Sequence, residues 1–395
     1  MIRASGPWRS IRLSSLPLLA KRVTLRIGLV ALAGLALVSI RSRAQQTPIL
    51  SPSRTIQLSQ ASIWGGISSD GDNIFVTTTF STGSAGRPHL YLRRVGRDLS
   101  QQGVPVQLTF DSDLESTRGI TDHKHLYLND CLFVVFSVAG DSDLYILKTD
   151  RDGRRIGTIV PVIEGTTDRT NDMMFTTDGD LLYIAYFKPT QQSTVQVFDQ
   201  ELRRVRSPLA TSLDLPHNNL GGMLYLDGRF YMFTGDKAGP NSNLILTVWN
   251  HDWTPAGRQP SVLIPAPSGG GYFFATGIAF QRSSRRWILA FHHVLNSNPD
   301  ATTHVDLAVF DESFHLLEHQ HTDPGFRPHL LLLNDSLYLI YDRGGVFLRL
   351  YEVRGGSRPG GTSLIFPSIR NEQHSATGMA FVNLLAAPLA LSLSA

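Results

Sequence analysis

The stretch NDMMFTTDGDLLYIAYFKPTQQSTVQVFDQELRR, Asn171 to Arg204, decides the fold. It holds an apolar run (Met173 to Phe175), a tight turn at Asp178-Gly179, a second apolar run (Leu182 to Tyr186), a polar loop, and a third run (Val195 to Phe198) closed by Asp199. This is a three-stranded meander, because Asp-Gly between β-rich runs marks a hairpin whose glycine accepts the positive φ of the turn.

The phrase recurs along the chain. Second strands align at Ile74, Leu132, Leu182, Phe230, Trp287 and Leu337, at intervals of 58, 50, 48, 57 and 50 residues. Asp70-Gly71, Asn129-Asp130, Asp227-Gly228 and Asn334-Asp335 repeat the turn. Third strands follow at Leu144 to Leu147, Val195 to Phe198, Leu246 to Asn250, Leu307 to Asp311 and Leu348 to Tyr351. A fourth run comes after some of them, at Val104 to Leu108, Ile159 to Ile163 and Val262 to Ile264. Four short strands per period of about 50 residues predict an all-β fold, a β-propeller of six four-stranded blades, with seven as the alternative. Thr55 to Leu58 is the candidate closing strand against the last blade. The propeller is expected over 55–367.

The flanks read differently. Residues 1–44 carry eight basic side chains and no acid, with a charge-free apolar run from Ile27 to Ile40 and small residues at Ser42 and Ala44, so they match an export signal cleaved before Gln45. An uncleaved anchor and an organelle transit peptide are the alternatives. Residues 45–54, rich in Pro and Ser, read as a linker. After Glu372 no Asp, Glu, Lys or Arg occurs, and 368–395 form an apolar tail. Ala376 to Phe381 repeats Ala275 to Phe280 almost letter for letter, so the tail reads as an extra inner strand, with a lipid-anchor signal or an imperfect terminus as alternatives.

The net charge of +3 comes from the leader: the remainder holds 28 basic against 33 acidic residues, which argues against a nucleic-acid partner. Membrane association is expected only through the N-terminal segment. The single cysteine, Cys131, lies in the run CLFVVF, where a buried inert thiol is the favoured reading.

The chain resembles the secreted bacterial β-propellers of an uncharacterised family, in phrases such as LYLRRVGRDL (Leu90 to Leu99) followed by VPVQLTF (Val104 to Phe110). The resemblance implies the fold and no activity. Ser69-Asp70-Gly71 and Thr177-Asp178-Gly179 are similar to the sialidase Asp-box but join first and second strands, not third and fourth, so no sialidase residue is carried over.

In a propeller the default site is the axial channel, at the segments entering the inner strands and the loops between second and third strands. These positions are Trp64; Arg118, Asp122, His123 and His125; Arg169, Asn171 and Asp172; His217, Asn218 and Asn219; Phe274 and Thr276; Arg327 and His329; and in the loops Lys188, Asp236, Lys237, His292, His293, Asp342 and Arg343. Asp122, Asn171, Asp172 and Asn218 offer the oxygen ligands of a Ca²⁺ site, similar to that of the calcium-dependent lactonase-type propellers. The competing reading is that Asn and Asp here serve their own turns. Asp122 and Asp172 are the candidate carboxylate pair for hydrolysis, although propeller glycosidases of the arabinanase type would require a third. Trp64, His125, Asn171, Asn219, Arg327 and His329 are the ligand-binding candidates; Arg327 and His329 suit an anionic sugar or carboxylate, and Trp64, Tyr272 and Phe274 suit a sugar ring. His315, His319 and His321 crowd one segment, where zinc or copper is the chemical alternative to solvated imidazoles. The expectation is an exported binding module for a carbohydrate, a small anionic ligand or a protein partner, with an extracytoplasmic lactonase-like or glycosidase activity around Ca²⁺ as the alternative.

Overall fold

The computed structural model describes residues 48–60, 65–81, 86–113, 119–138, 144–163, 173–186, 194–210, 221–236, 242–257, 261–266, 272–294 and 303–354, with backbone alone at 206–210, 272–276, 293–294 and 323. They form six antiparallel sheets of four strands, and the molecule is a six-bladed β-propeller. In blades 1 to 5 the strands follow one another outward from the axis. The inner strands are Gly65–Ser69, Ile120–Leu128, Met173–Thr177, Gly222–Leu226, Tyr272–Gln281 and Phe326–Leu333. The tail from 368, including Ala376 to Phe381, lies outside the described residues.

Hydrophobic burial runs between the blades. Phe75 faces Leu132 and Val134 of blade 2, while its neighbours Ile74 and Val76 face Tyr338 and Ile340 of blade 6. Six apolar clusters fill the six gaps in this way. Alternate side chains of each second strand thus enter different clusters, both faces are dry, and the strand reads as an unbroken apolar run. The inner hairpins use the expected turns. Asp227 (φ 50°) with Gly228 (φ 81°), and Asn129 (φ 48°) with Asp130 (φ 61°), supply the paired positive φ of type I′.

A second repeated turn joins third and fourth strands. In Asp199-Gln200-Glu201-Leu202-Arg203 the Asp199 carboxylate accepts the N–H groups of Glu201 and Arg203, and Leu202 adopts φ 60°. Asp311 does the same for Ser313 and His315, with Phe314 at φ 63°, and Asp150 for Asp152 and Arg154 around Gly153. The strain of a left-handed leucine is offset by burying its side chain beneath the turn.

The ring closes through Leu50–Ser59, which pairs antiparallel with Val346–Val353 as the fourth strand of blade 6. The strand covers the expected Thr55 to Leu58 and extends back to Leu50, so the last residues of the expected linker are strand. Pro52 is accommodated beside a register shift, where a missing N–H costs little. Outer strands Arg204–Ala210 and Leu316–Pro324 carry too few apolar residues for periodicity to detect them. Cys131 is half-buried, and burial pushes its thiol up, in keeping with an inert side chain.

Leu50 is 1% exposed and packs between blades 5 and 6. Leu50→Ala is expected to cost about 2–5 kcal/mol in urea unfolding, whereas Val104→Ala, at a side chain 84% exposed on an outer strand, should stay within about 0.5 kcal/mol. Equal effects would contradict closure through the N-terminal strand.

Candidate functional site in the axial channel

The inner strands meet around a cavity of about 110 Å³ lined by Gly66, Lys124, Phe175, Met223, Gly277 and His329, one from each blade, together with His125. Two glycines beside the cavity have little room for a side chain. A Cβ on Gly66 would lie 2.9 Å from the Thr77 hydroxyl, and one on Gly277 would lie 2.9 Å from the Leu330 backbone nitrogen.

The blade 2 strand Ile120–Leu128 carries Asp122, His123, Lys124 and His125 in consecutive positions, of which Lys124 and His125 line the cavity. Alternation sets Asp122 and Lys124 on one face of the strand and the two histidines on the other. Lys124 is 7% exposed, and its Nζ donates to the Gly221 carbonyl at 2.7 Å, reaching from blade 2 to blade 4. Such a bond compensates part of the cost of withdrawing an ammonium from water. The Asp122 carboxylate is buried and accepts the His123 backbone N–H at 2.7 Å.

Both histidines rest on Thr77 of blade 1. His123 Nε2 lies 3.2 Å from the Thr77 carbonyl, which can only accept, so that nitrogen carries the proton. His125 Nδ1 lies 2.9 Å from the Thr77 hydroxyl, and its Nε2 has no partner among the described residues. Burial pulls His123 down to about 4 against the opposing carbonyl bond, and burial with the neighbouring His123 pulls His125 down to about 3. His329 falls well below its ordinary value, from burial first and then from Lys124, His123 and His125. At neutral pH these three imidazoles are therefore neutral.

At blade 6 the Arg327 N–H donates to His292 Nδ1 at 3.2 Å, and Arg327 has φ 51°, beside a register shift between Phe326 and His329. Asp342, opposite Phe326, is pushed up to about 6 by burial, with a bond from Gly345 and the charge of Arg327 opposing. The structure thus brings His125 and His329 to the channel, buries Asp122 on the same inner strand as His125, and groups Arg327 with His292 and Asp342. Trp64, Arg118, Arg169, Asn171, Asp172, Lys188, His217, Asn218, Asn219 and Lys237 lie outside the described residues, and the side chains of Tyr272, Phe274, Thr276 and His293 are not described. Lys124 escaped the sequence reading. Its signal was a lone lysine between two histidines in an inner strand, a position normally given to packing.

No family model matches the sequence, and no curated protein matches it. Solved structures similar in fold include an endo-arabinanase of family GH43 from Bacillus licheniformis, with 13% identity, a TM-score of 0.42, and coverage of 64% of this chain and 96% of that one. A member of the DUF4221 family from Bacteroides vulgatus has 7% identity, a TM-score of 0.46, and coverage of 78% and 98%. A Trypanosoma rangeli sialidase, crystallised with 2,3-difluorosialic acid as a covalent intermediate, has 9% identity, a TM-score of 0.48, and coverage of 78% of this chain and 59% of that one. Glycoside hydrolase-like propellers are thus among the neighbours, and what they share with this chain is the fold.

The depressed imidazoles make a pH prediction. Their folded proton affinity lies below the unfolded value near 6.5, so the unfolded chain takes up protons first and stability falls as pH drops below 6.5. The decline ends near pH 4 for His123 and near pH 3 for His125. From pH 7 to 5 each imidazole should remove about 2 kcal/mol, partly offset by Asp342, whose shift has the opposite sign. Denaturant unfolding of His125→Gln should show a pH 7 to 5 loss smaller by about that amount. An identical loss would place His125 in contact with bulk water.

Proposed function

We propose that the chain is an exported propeller that binds a small anionic ligand, a carboxylate or sugar acid, at its axial channel. The observation that carries this reading is the Lys124 ammonium in a cavity shared with His125 and His329. The ammonium is anchored by its bond to the Gly221 carbonyl, and an anion beside it gains a charge-assisted interaction. Charge-assisted bonds of this kind are roughly twice as strong as neutral ones, and the enclosed setting raises their weight further.

The cavity volume limits the ligand. About 110 Å³ is less than the roughly 150 Å³ that admits benzene, so the channel takes a carboxylate with a few carbons, and a larger sugar acid would place only its carboxylate end there. The hydrolytic alternative requires a pair of carboxylates across the channel; Asp122 is buried on the blade 2 inner strand, and its expected partner Asp172 lies outside the described residues.

Thermal unfolding with glucuronate, pyruvate, phosphate and a neutral sugar tests the reading. An anion at hundredfold excess over its Kd should add about 2.7 kcal/mol of stability, and Lys124→Met should abolish the effect. The absence of any shift with millimolar anions, or an equal shift in Lys124→Met, would refute it. A Ca²⁺ arm with and without chelator tests the expected metal set Asp122, Asn171, Asp172 and Asn218: a rise lost in Asp122→Asn supports it, and no rise removes it. Export has its own measurement: N-terminal sequencing of the protein recovered from outside the cytoplasm should begin at Gln45, whereas retention of residues 1–44 on a cytoplasmic protein would contradict export.

A further inference from the structure

We propose that Asp306, His319 and His321, on the outer half of blade 5, form a binding site for a borderline divalent transition metal such as Zn²⁺. The site is separate from the channel and does not depend on the reading given to it. Asp306 belongs to the third strand, His304–Phe310, and the two histidines to the fourth, Leu316–Pro324. The register sets Asp306 opposite His321 and Ala308 opposite His319, so the three side chains share one face of the sheet. Ala308 and Phe310 on that face pack against blade 4.

The geometry suits one ion. Asp306 Oδ1 lies 2.9 Å from His321 Nδ1, and Oδ2 lies 3.0 Å from His319 Nε2. One ligand atom from each residue falls within 4.8 Å of the others, against roughly 3.3 Å between neighbours around a tetrahedral ion with bonds of about 2.0–2.1 Å. Closing that difference takes small side-chain rotations. The imidazole rings stand 5.0 Å apart, and Phe291 packs beside His319 at 5.8 Å and restrains its ring.

Burial separates this cluster from a surface ion pair. Asp306 is fully buried, whereas the His321 side chain is 67% exposed and that of His319 28%. A carboxylate withdrawn from water with two imidazoles leaning in from the solvent side gives three ligands and an open position through which an ion can enter. Two nitrogens and one oxygen suit Zn²⁺, Co²⁺ or Cu²⁺, and disfavour Ca²⁺ and Mg²⁺, which take oxygen ligands. A neighbouring pair serves as the control: His315 bonds Asp311 at 3.1 Å in the outer turn but has no third ligand among the described residues.

The site has a structural consequence. On the same fourth strand Glu318 receives the backbone N–H of Ile49, and the Gln320 amide donates to the Leu50 carbonyl at 2.8 Å. An ion that fastens the third strand to the fourth would therefore steady the strand on which the ring-closing segment begins.

Titration of the untagged chain with Co²⁺, read by visible absorption and by thermal unfolding, tests the proposal. It predicts one equivalent per chain and a rise in Tm, at least tenfold weaker binding in His319→Ala and in His321→Ala, and unchanged binding in His315→Ala. His321 is exposed, so its variant should fold even where Asp306→Asn does not. Binding below one equivalent at millimolar Co²⁺, or affinities within twofold of the parent in both histidine variants, would overturn it.

Discussion

The pairing of Leu50–Ser59 with Val346–Val353 is the constraint on which the other features depend. Without it, blade 6 has three strands and the apolar residues between blades 5 and 6 lose the cover of Leu50. Closure also sets the radius at the axis. The inner strands of blades 5 and 6 approach so closely that Gly277 has no room for a Cβ, and the space remaining at the axis is small. The channel chemistry is thus a product of the ring: a lysine on an inner strand is buried because five other blades surround it.

Enclosure then selects protonation states. Imidazoles that would titrate near neutrality in water are held neutral by lost solvation, and the Lys124 charge pushes His329 further in the same direction. Neutral imidazoles add no positive charge beside Lys124. The same physics explains the position of the blade 5 cluster. Its carboxylate is buried like the channel groups, but its histidines lie at the rim, where an ion can reach them.

The repeat was legible because turn chemistry and strand burial agree at each period. Asp178-Gly179 and Asp227-Gly228 sit where a positive φ is required, and the runs at Leu132 and Leu182 are apolar throughout because both faces are dry. Arg204–Ala210 and Leu316–Pro324 were not legible, since an outermost strand needs an apolar residue only where it covers the third. Nor was the left-handed conformation of Leu202, which is specified by the Asp199 carboxylate three residues earlier and by the pocket beneath the turn. In the channel, His125 and His329 stood out as polar residues on inner strands, but Lys124 did not. Its role comes from the distance to Gly221, a contact between blades 2 and 4 that no local pattern encodes.

The central claim, that a lysine ammonium is held inside the channel and meets the ligand there, can be examined by ¹⁵N NMR of the lysine-labelled protein. Buried, hydrogen-bonded ammonium protons exchange slowly with water. The account predicts one slowly exchanging lysine ammonium signal, absent in Lys124→Met and displaced by glucuronate. A Lys124 signal that exchanges as fast as surface lysines, or that ignores every anion, would contradict it.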